Sequence, residues 1–500
     1  MENLLEALPE SMIELLREAS IVAKNAKKVM AFSHIDADGI SALAIIVRAL
    51  EHEEKEFEWR NIHQINSESI IEIKQEVEQF QPDLVIFTDF GTGQFNLIRN
   101  HIAVMDIVRK IIILDHHLPQ ERDNEDYQSI HQDKIIEINP SHHDLSGSYD
   151  ISGSGMAFLF AIGLSTENVD LTELAIVGAT GDLQDFYGKG FTGVNKTIIE
   201  LGEAAGFLNV TRDLTFFGIN TRPLPYLLQY ATDPYLPGLT GEEAACYSFF
   251  EDLGIAMKDA HDEWRTWVNL ESSEKQTIIQ RLIQYIFEMY NDPRIAKGLI
   301  GDVIILPKRP ERTEMRSAKE FSTLLNACGR NKKPEVGVKI CLGNPEAIIE
   351  GRHLLQEHRK NLATALRRLE DESYTTMDGL YLVDDPETPD TIIGIVIGMA
   401  QGSRIVPIDK PIIGVSTNTS SDSPLVKLSG RAHKYLIKRG ISLKETFVSV
   451  AEQMNEKYGT LVAEAGGHPM AAGAFIQKDY VEEFLILSSA HFEKTLKSEK

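Results

Sequence analysis

The sequence predicts an α/β fold in two parts. These are an N-terminal parallel-sheet domain and a smaller C-terminal α/β domain, with a helical connector and a cleft between them. Three observations predict it. Apolar runs of strand length recur through the front of the chain, segments of helical period lie between them, and a second series of the same kind begins at residue 301. Continuous β-branched runs separated by helices indicate a parallel sheet covered on both faces. Such sheets gather ligands at the carboxyl ends of their strands.

The strands of the front domain are VMAF at 29–32, LVIF at 84–87, IIIL at 111–114 and KIIEI at 134–138. SALAIIVRAL at 41–50 and SESIIEIKQEVEQF at 67–80 carry the helical period between them. This domain is expected to span 1–235. The stretch from GEEAACYSFFEDLG to EWRTWVNLESSEKQTIIQRLIQYIFEMY is helical with polar breaks, which makes 236–300 a connector or insert. GDVIILP at 301–307 opens the rear domain, 301–500. That domain contains the long helical pattern 346–372 and resumes with GLYLV, TIIGIVIGMA and PIIGVST.

A chain of 500 residues, 43% hydrophobic and 25% charged, is too long for one domain and has a globular composition, which excludes wholesale disorder and fibre. Three scattered cysteines, Cys246, Cys328 and Cys341, make neither a disulfide framework nor a CxxC zinc site, and fit a reducing compartment. No apolar run approaches 18 residues, and the start MENLLEALPESMIELLREAS is acidic and amphipathic rather than leader-like. The expectation is a cytoplasmic protein without a membrane partner. The net charge of −25, from 50 basic and 75 acidic residues, speaks against nucleic acid, but it is unevenly placed. Residues 1–300 hold 23 basic and 48 acidic residues, whereas 301–500 hold 27 of each. The front half can hold cations, and the rear half can carry a local basic patch.

Four constellations sit where strands or apolar segments end. SHIDADGISA at 33–42 sets His34, Asp36 and Asp38 in alternation after a strand, DLVIFTDFGTG puts Asp89 after another, IIILDHHLPQ places Asp115, His116 and His117 after a third, and AIVGATGDLQD puts Asp182 after a Gly-rich turn. Each alone reads as a surface turn or a helix cap. Together they supply hard oxygen ligands and imidazole, which suit Mn²⁺ or Mg²⁺. Two such ions form a clamp for phosphoryl chemistry, and Asp89, from its separate strand, is the natural bridge. A fifth constellation lies in EAGGHPMAAGAFI at 464–476. Gly466 and Gly467 allow close backbone approach beside His468, and with Arg431 of KLSGRAHKYLIKRG they could seat a phosphate. His142 and His143 beside Asp144 read as polar loop residues.

These motifs, in this order, resemble those of the DHH phosphoesterase superfamily: HIDADG, the Asp89 strand, DHH and the Gly-Asp site. GGHPMAAG resembles the hallmark of the companion DHHA1 domain. The resemblance runs from about residue 28 to 476. INPSHHDLSGSYDISGSG, TRPLPYLLQYATDPYLPGLTG and FSTLLNACGR further resemble archaeal RecJ-like single-strand nucleases, some of which associate with the GINS complex and are related to the replicative helicase cofactor. The resemblance implies a metal-dependent exonuclease on single-stranded DNA or RNA. It implies that His34 and Asp36 hold one ion, that Asp38, His116 and Asp182 hold the other, and that Asp89 bridges. His117 would lie beside the scissile phosphate, with Asp115 orienting an imidazole. Arg431, Gly466, Gly467 and His468 would hold substrate phosphate.

Two departures stand out. The subgroup usually reads Ser-Ala-Arg where this chain has Ser429-Gly430-Arg431, and nothing here resembles the OB-fold of bacterial RecJ. Basic stretches at 308–316 and 359–368 are candidates for tracking a strand. The alternatives are a phosphodiesterase of oligoribonucleotides or cyclic dinucleotides, and a GINS-binding replisome scaffold. The presence of all six expected ligands disfavours pure scaffolding.

Overall fold

The computed structural model describes residues 2–120, 132–185, 190–231, 234, 236–290, 296–372, 374–416 and 425–497. Residues 232, 233 and 235 of the 221–241 segment, and 291–295 of the connector, lie outside the described residues. The chain forms two compact units, residues 1–234 with 241–355, and residues 235–240 with 356–500.

The first unit is built on five parallel strands, β1 (Lys28–Ser33), β2 (Glu56–Asn61), β3 (Leu84–Thr88), β4 (Lys110–Leu114) and β5 (Ile135–Ile138), in the order β2-β1-β3-β4-β5. Their apolar runs are continuous because alternate residues enter two cores. Val29, Ala31, Leu84, Ile86, Ile112 and Leu114 face one; Met30, Phe32, Val85, Phe87, Ile111 and Ile113 face the other. Burying each such side chain is worth about 1.5–3 kcal/mol. The helices Ala37–His52, Gly153–Leu164 and Thr172–Gly181 contribute to the first core, and Ser69–Phe80 to the second. β2 lacks such a run. It alternates exposed Glu56, Glu58 and Arg60 with half-buried Phe57 and Trp59, the pattern of an edge strand with one wet face.

This strand order reverses direction between β1 and β3, so the loops that leave these two strands diverge and open a crevice. The register pairs Ser33 with Thr88 and Thr88 with Leu114. The residues that follow, His34, Asp89 and Asp115, therefore leave the sheet in one row.

The rear boundary differs from the sequence expectation. β7 (Ile300–Ile305), the core of GDVIILP, pairs antiparallel with β6 (Asn209–Leu214) of the first unit. The helices Ala318–Arg330 and Pro334–Cys341 bury Phe321, Leu324, Leu325, Val338 and Ile340 in the first core. Leu354 and Leu355 join that core, so the division falls after residue 355 rather than after 300. The helix Pro345–Glu372 runs through the division. The stretch read as a connector holds the helices Glu243–Asp252 and Ser272–Tyr290.

The second unit is a six-stranded mixed sheet. Its strands are β8 (Thr375–Thr376), β9 (Tyr381–Asp384), β10 (Ile412–Ser416), β11 (Leu425–Arg431), β12 (Ala463–His468) and β13 (Ala471–Gln477), in the order β12-β13-β11-β10-β9-β8. TIIGIVIGMA forms the helix Ile393–Gly402, buried against β10. KLSGRAH is mostly β11. The Ser-Gly-Arg departure has a packing cause. A Cβ on Gly430 would lie 2.9 Å from Phe447 Cζ and 3.2 Å from Leu443 Cδ2 of the helix Leu443–Tyr458. Gly430→Ala is accordingly expected to cost about 1–3 kcal/mol by overpacking, read as a lowered urea midpoint. Adding Phe447→Leu is expected to return part of that loss.

Candidate metal centre

The four front constellations meet at the carboxyl end of the sheet. Asp36 caps the helix Ala37–His52, accepting from the Gly39 N–H at 2.9 Å, while its other oxygen lies 2.9 Å from His34 Nδ1. The cap and the candidate ligand are thus the same residue. Asp38, one turn in, turns its carboxylate onto the N-terminus of Gly153–Leu164. It accepts from Gly153 N at 2.7 Å and from Ser154 N and Oγ at 3.0 and 2.5 Å.

Asp115 is the organiser of the third constellation. It accepts from the backbone N–H groups of Thr92, His116 and His117 and from His117 Nδ1 at 2.9 Å. His116 and His117 then point apart in role. His116 is buried and gives its Nδ1 proton to the Gly147 carbonyl at 2.5 Å. Its Nε2 faces Asp89, Asp38 and Asp182 at 3.2, 3.6 and 3.8 Å. That tautomer leaves an Nε2 lone pair for a metal. His117 is half exposed.

Asp89 lies 1% exposed with φ +62°, a left-handed backbone that aspartate tolerates and bulkier residues resist. Among the described residues, both of its carboxylate oxygens, and His116 Nε2, are buried without a hydrogen-bond partner. Such orphaned atoms are costly unless a cation completes them. The donors fit that need. His34, Asp36 and Asp89 bring ligand atoms within 4.8 Å of one another, as do Asp38, His116 and Asp182, and Asp89, His116 and His117. The hard oxygen and imidazole set suits Mn²⁺ or Mg²⁺.

Protonation reflects this crowding. Burial, then Asp38 and Asp36, push the Asp89 carboxyl well above the usual range. Burial raises Asp182 to about 6, with Asp38 and Asp36 adding to it against the pull of His116. Burial and His116 oppose the charge on His117, yet Asp115 holds it up at about 9. His34 and His116 are also raised, their carboxylate neighbours outweighing burial. Asp36 and Asp115 sit well below the usual range, because His34 and His117 respectively outweigh burial.

Several supporting residues escaped the sequence reading. Gly147 has no room for a side chain, since a Cβ would lie 1.8 Å from the His116 carbonyl oxygen. Gln184 donates to Gly147 O and to Asp182, and is itself held by Asn195 at 2.7 Å. The Gly-rich turn before Asp182 is the end of the helix Thr172–Gly181. Gly178 and Gly181 are there for close packing, since their Cβ atoms would strike Ser154 Oγ, Asp38 and Ala37.

Arg431, Gly466, Gly467 and His468 lie in the second unit. Arg431 pairs across from Ala471, which pairs across from His468, so the two side chains share a sheet face. Gly467, at φ +126°, leads into the His468 turn. His142 and His143 stand outside the cluster, beside Glu137 and Ser11. Of the strand-tracking candidates, Arg309, Arg316 and Arg368 are engaged by Glu173, backbone carbonyls and Asp385.

The raised groups give a pH signature for the metal-free protein. Asp182 at about 6 and His117 at about 9 both exceed their unfolded values of about 3.9 and 6.5. Their contributions are complete at low pH and are lost as pH rises through 4–6 and 6.5–9 respectively. In chelator, Tm is therefore expected to fall across that range. Mn²⁺ at a hundred times its Kd is expected to restore about 2.7 kcal/mol, and a fixed Mn²⁺ concentration is expected to restore more at pH 8 than at pH 5.5. Asp89→Asn is expected to raise Tm in chelator and to abolish the manganese-induced rise, both read by calorimetry.

Comparison with known proteins agrees with this geometry. The family model described as DHH family, N-terminal domain, matches residues 28–181, and that of the DHH-CID domain matches residues 216–299. The uncharacterized protein MJ0831 of Methanocaldococcus jannaschii is 30% identical over 482 residues, covering 95% of this chain and 97% of its own. RecJ from Thermus thermophilus in complex with Mn²⁺ has a similar fold, with a TM-score of 0.57 and 18% identity over 96% of this chain and 55% of that one. This chain thus spans about half the length of that RecJ. CDC45 from Entamoeba histolytica gives a TM-score of 0.59 at 13% identity, over 97% of this chain and 98% of that one. No helix among the described residues is long and apolar enough to cross a membrane. The motif-bearing sheet and the full-length relative together place the chain in the DHH family, with a RecJ-like fold.

Proposed function

We propose that the chain is a two-metal phosphodiester hydrolase that degrades single-stranded DNA or RNA from an end. The observation that carries this reading is the pair of orphaned Asp89 oxygens amid three further carboxylates and three imidazoles. In this reading His34 and Asp36 hold one ion, Asp38, His116 and Asp182 hold the other, and Asp89 bridges. The ions, Mn²⁺ or Mg²⁺, supply Lewis acidity toward phosphate and water at neutral pH. The protein's residues do the rest. Asp115 fixes the His117 ring through Nδ1, so the protonated imidazole presents Nε2–H outward. In this reading His117 binds a non-bridging phosphate oxygen or gives a proton to the leaving oxygen through Nε2. Arg431 and His468, with Gly466 and Gly467, are the proposed phosphate seat of a DHHA1-type unit. The family likeness also favours work in the cytoplasm beside a GINS complex or replicative helicase.

The similarity of fold to CDC45 favours a second role as a replisome scaffold. Co-purification with a GINS subunit tests that role separately. For the hydrolase, end-labelled single-stranded DNA and RNA are followed with Mn²⁺ or chelator. Mononucleotides are expected with Mn²⁺ only, and faster from long strands than from dinucleotides. His117→Gln is expected to lower kcat by about 10²–10⁴ while keeping the manganese-induced Tm rise. Full metal-dependent activity in Asp89→Asn would overturn the bridging role.

A further inference from the structure

A cavity of about 260 Å³ opens in the first unit, away from the metal cluster. At about 30 Å³ per water it has room for about nine waters, the size of a small phosphorylated metabolite. Arg48, Lys308 and Arg309 bring three cations to its wall, Glu173 and Asp170 bring carboxylates, and Phe207 brings an apolar ring.

Glu173 is the informative residue. It is 5% exposed, and its Oε2 accepts from Arg309 Nε at 2.7 Å. Among the described residues its Oε1 is buried with no partner, as is Asp170 Oδ1. A purely structural ion pair would satisfy both oxygens. Here one oxygen of each carboxylate lacks a donor, at residues that line a cavity. Arg309 is held by Glu173 and by the Phe321 ring at 5.5 Å. Lys308 is exposed. Arg48 is fixed by Glu51 and by the Leu342 carbonyl. The site therefore asks for a compact molecule that offers hydrogen-bond donors to Glu173 and Asp170, negative charge to the cations, and a flat face to Phe207.

We propose that this cavity binds a nucleoside monophosphate, with phosphate on Lys308, Arg309 and Arg48, and sugar hydroxyl or base amine on Glu173 and Asp170. The choice of a mononucleotide rests on the proposed hydrolysis, which releases that class of product. The site is not the reacting position. Arg48 lies ten residues along the helix Ala37–His52 from Asp38, and Glu173 nine residues along Thr172–Gly181 from Asp182, about 15 Å in each case. Two rigid helices thus join the cavity to the metal centre.

The test is isothermal titration of the full chain with AMP, GMP, CMP and UMP in chelator, so that the metal centre takes no part. Saturable binding is expected, unchanged in Asp89→Asn. Inorganic phosphate and adenosine are each expected to bind about tenfold or more weakly. Arg309→Gln is expected to weaken binding at least about fivefold, and so is Lys308→Gln, whose exposed side chain makes misfolding no excuse. Unaltered affinity in both variants overturns the site, and phosphate binding as tightly as AMP overturns the ligand class. Strand hydrolysis without AMP binding would sink this inference alone. AMP binding without strand hydrolysis would sink the hydrolase reading and leave the site standing.

Discussion

The carboxylate of Asp89 sets the terms for everything around it. It lies at the end of the central strand β3, fully buried, on a left-handed backbone, with no donor for either oxygen. A buried charge without partners costs several kcal/mol, and here it faces Asp36, Asp38 and Asp182 as well. The surrounding structure holds it in place. A Cβ on Gly153 would clash with it at 2.4 Å, so that glycine leaves it room. The same feature that weakens the metal-free protein is what makes this cluster able to hold a metal ion.

Around this point the chain separates ligand-like groups from the groups that aim them. Asp115 carries no outward role; its four hydrogen bonds shape the turn that carries both histidines. Adjacent residues thereby acquire opposite characters. His116 is driven inward, its Nδ1 proton fixed by a carbonyl that only a glycine at 147 can bring so near. His117 stays outward, kept cationic by the same Asp115. Asp38 is steadied by a helix N-terminus, and Asp182 by Gln184, which Asn195 holds. The centre is therefore rigid on its inner side and open where His34, Asp36, His117 and Asp182 reach solvent.

Much of this was legible along the chain, and the exceptions have physical causes. The strands β1, β3 and β4 were visible because burial on both faces demands unbroken apolar runs, and β5 because only Glu137 interrupts its apolar residues. β2 was not, since an edge strand with one wet face, EFEWRN, hides among charged residues. TIIGIVIGMA is uniformly apolar, and periodicity cannot tell a buried helix from a buried strand in so short a run. The division after residue 355 was missed because β6 and β7, 91 residues apart at Asn209 and Ile300, must be paired before the helices behind them find their core.

The sequence by itself determined the identities of His34, Asp36, Asp38, Asp89, Asp115, His116, His117 and Asp182, and that they stand at segment ends, because polar residues there interrupt the apolar runs. Only the tertiary structure decided that these ends coincide. The parallel register aligns Ser33, Thr88 and Leu114, and the helix Thr172–Gly181 delivers Asp182 from the side. It also decided the roles of Gly147, Ser154, Gln184 and Asn195, which are ordinary loop and helix residues until distant backbone comes within hydrogen-bonding range. Convergence of this kind depends on register and helix packing, and neither is a property of any local stretch of residues.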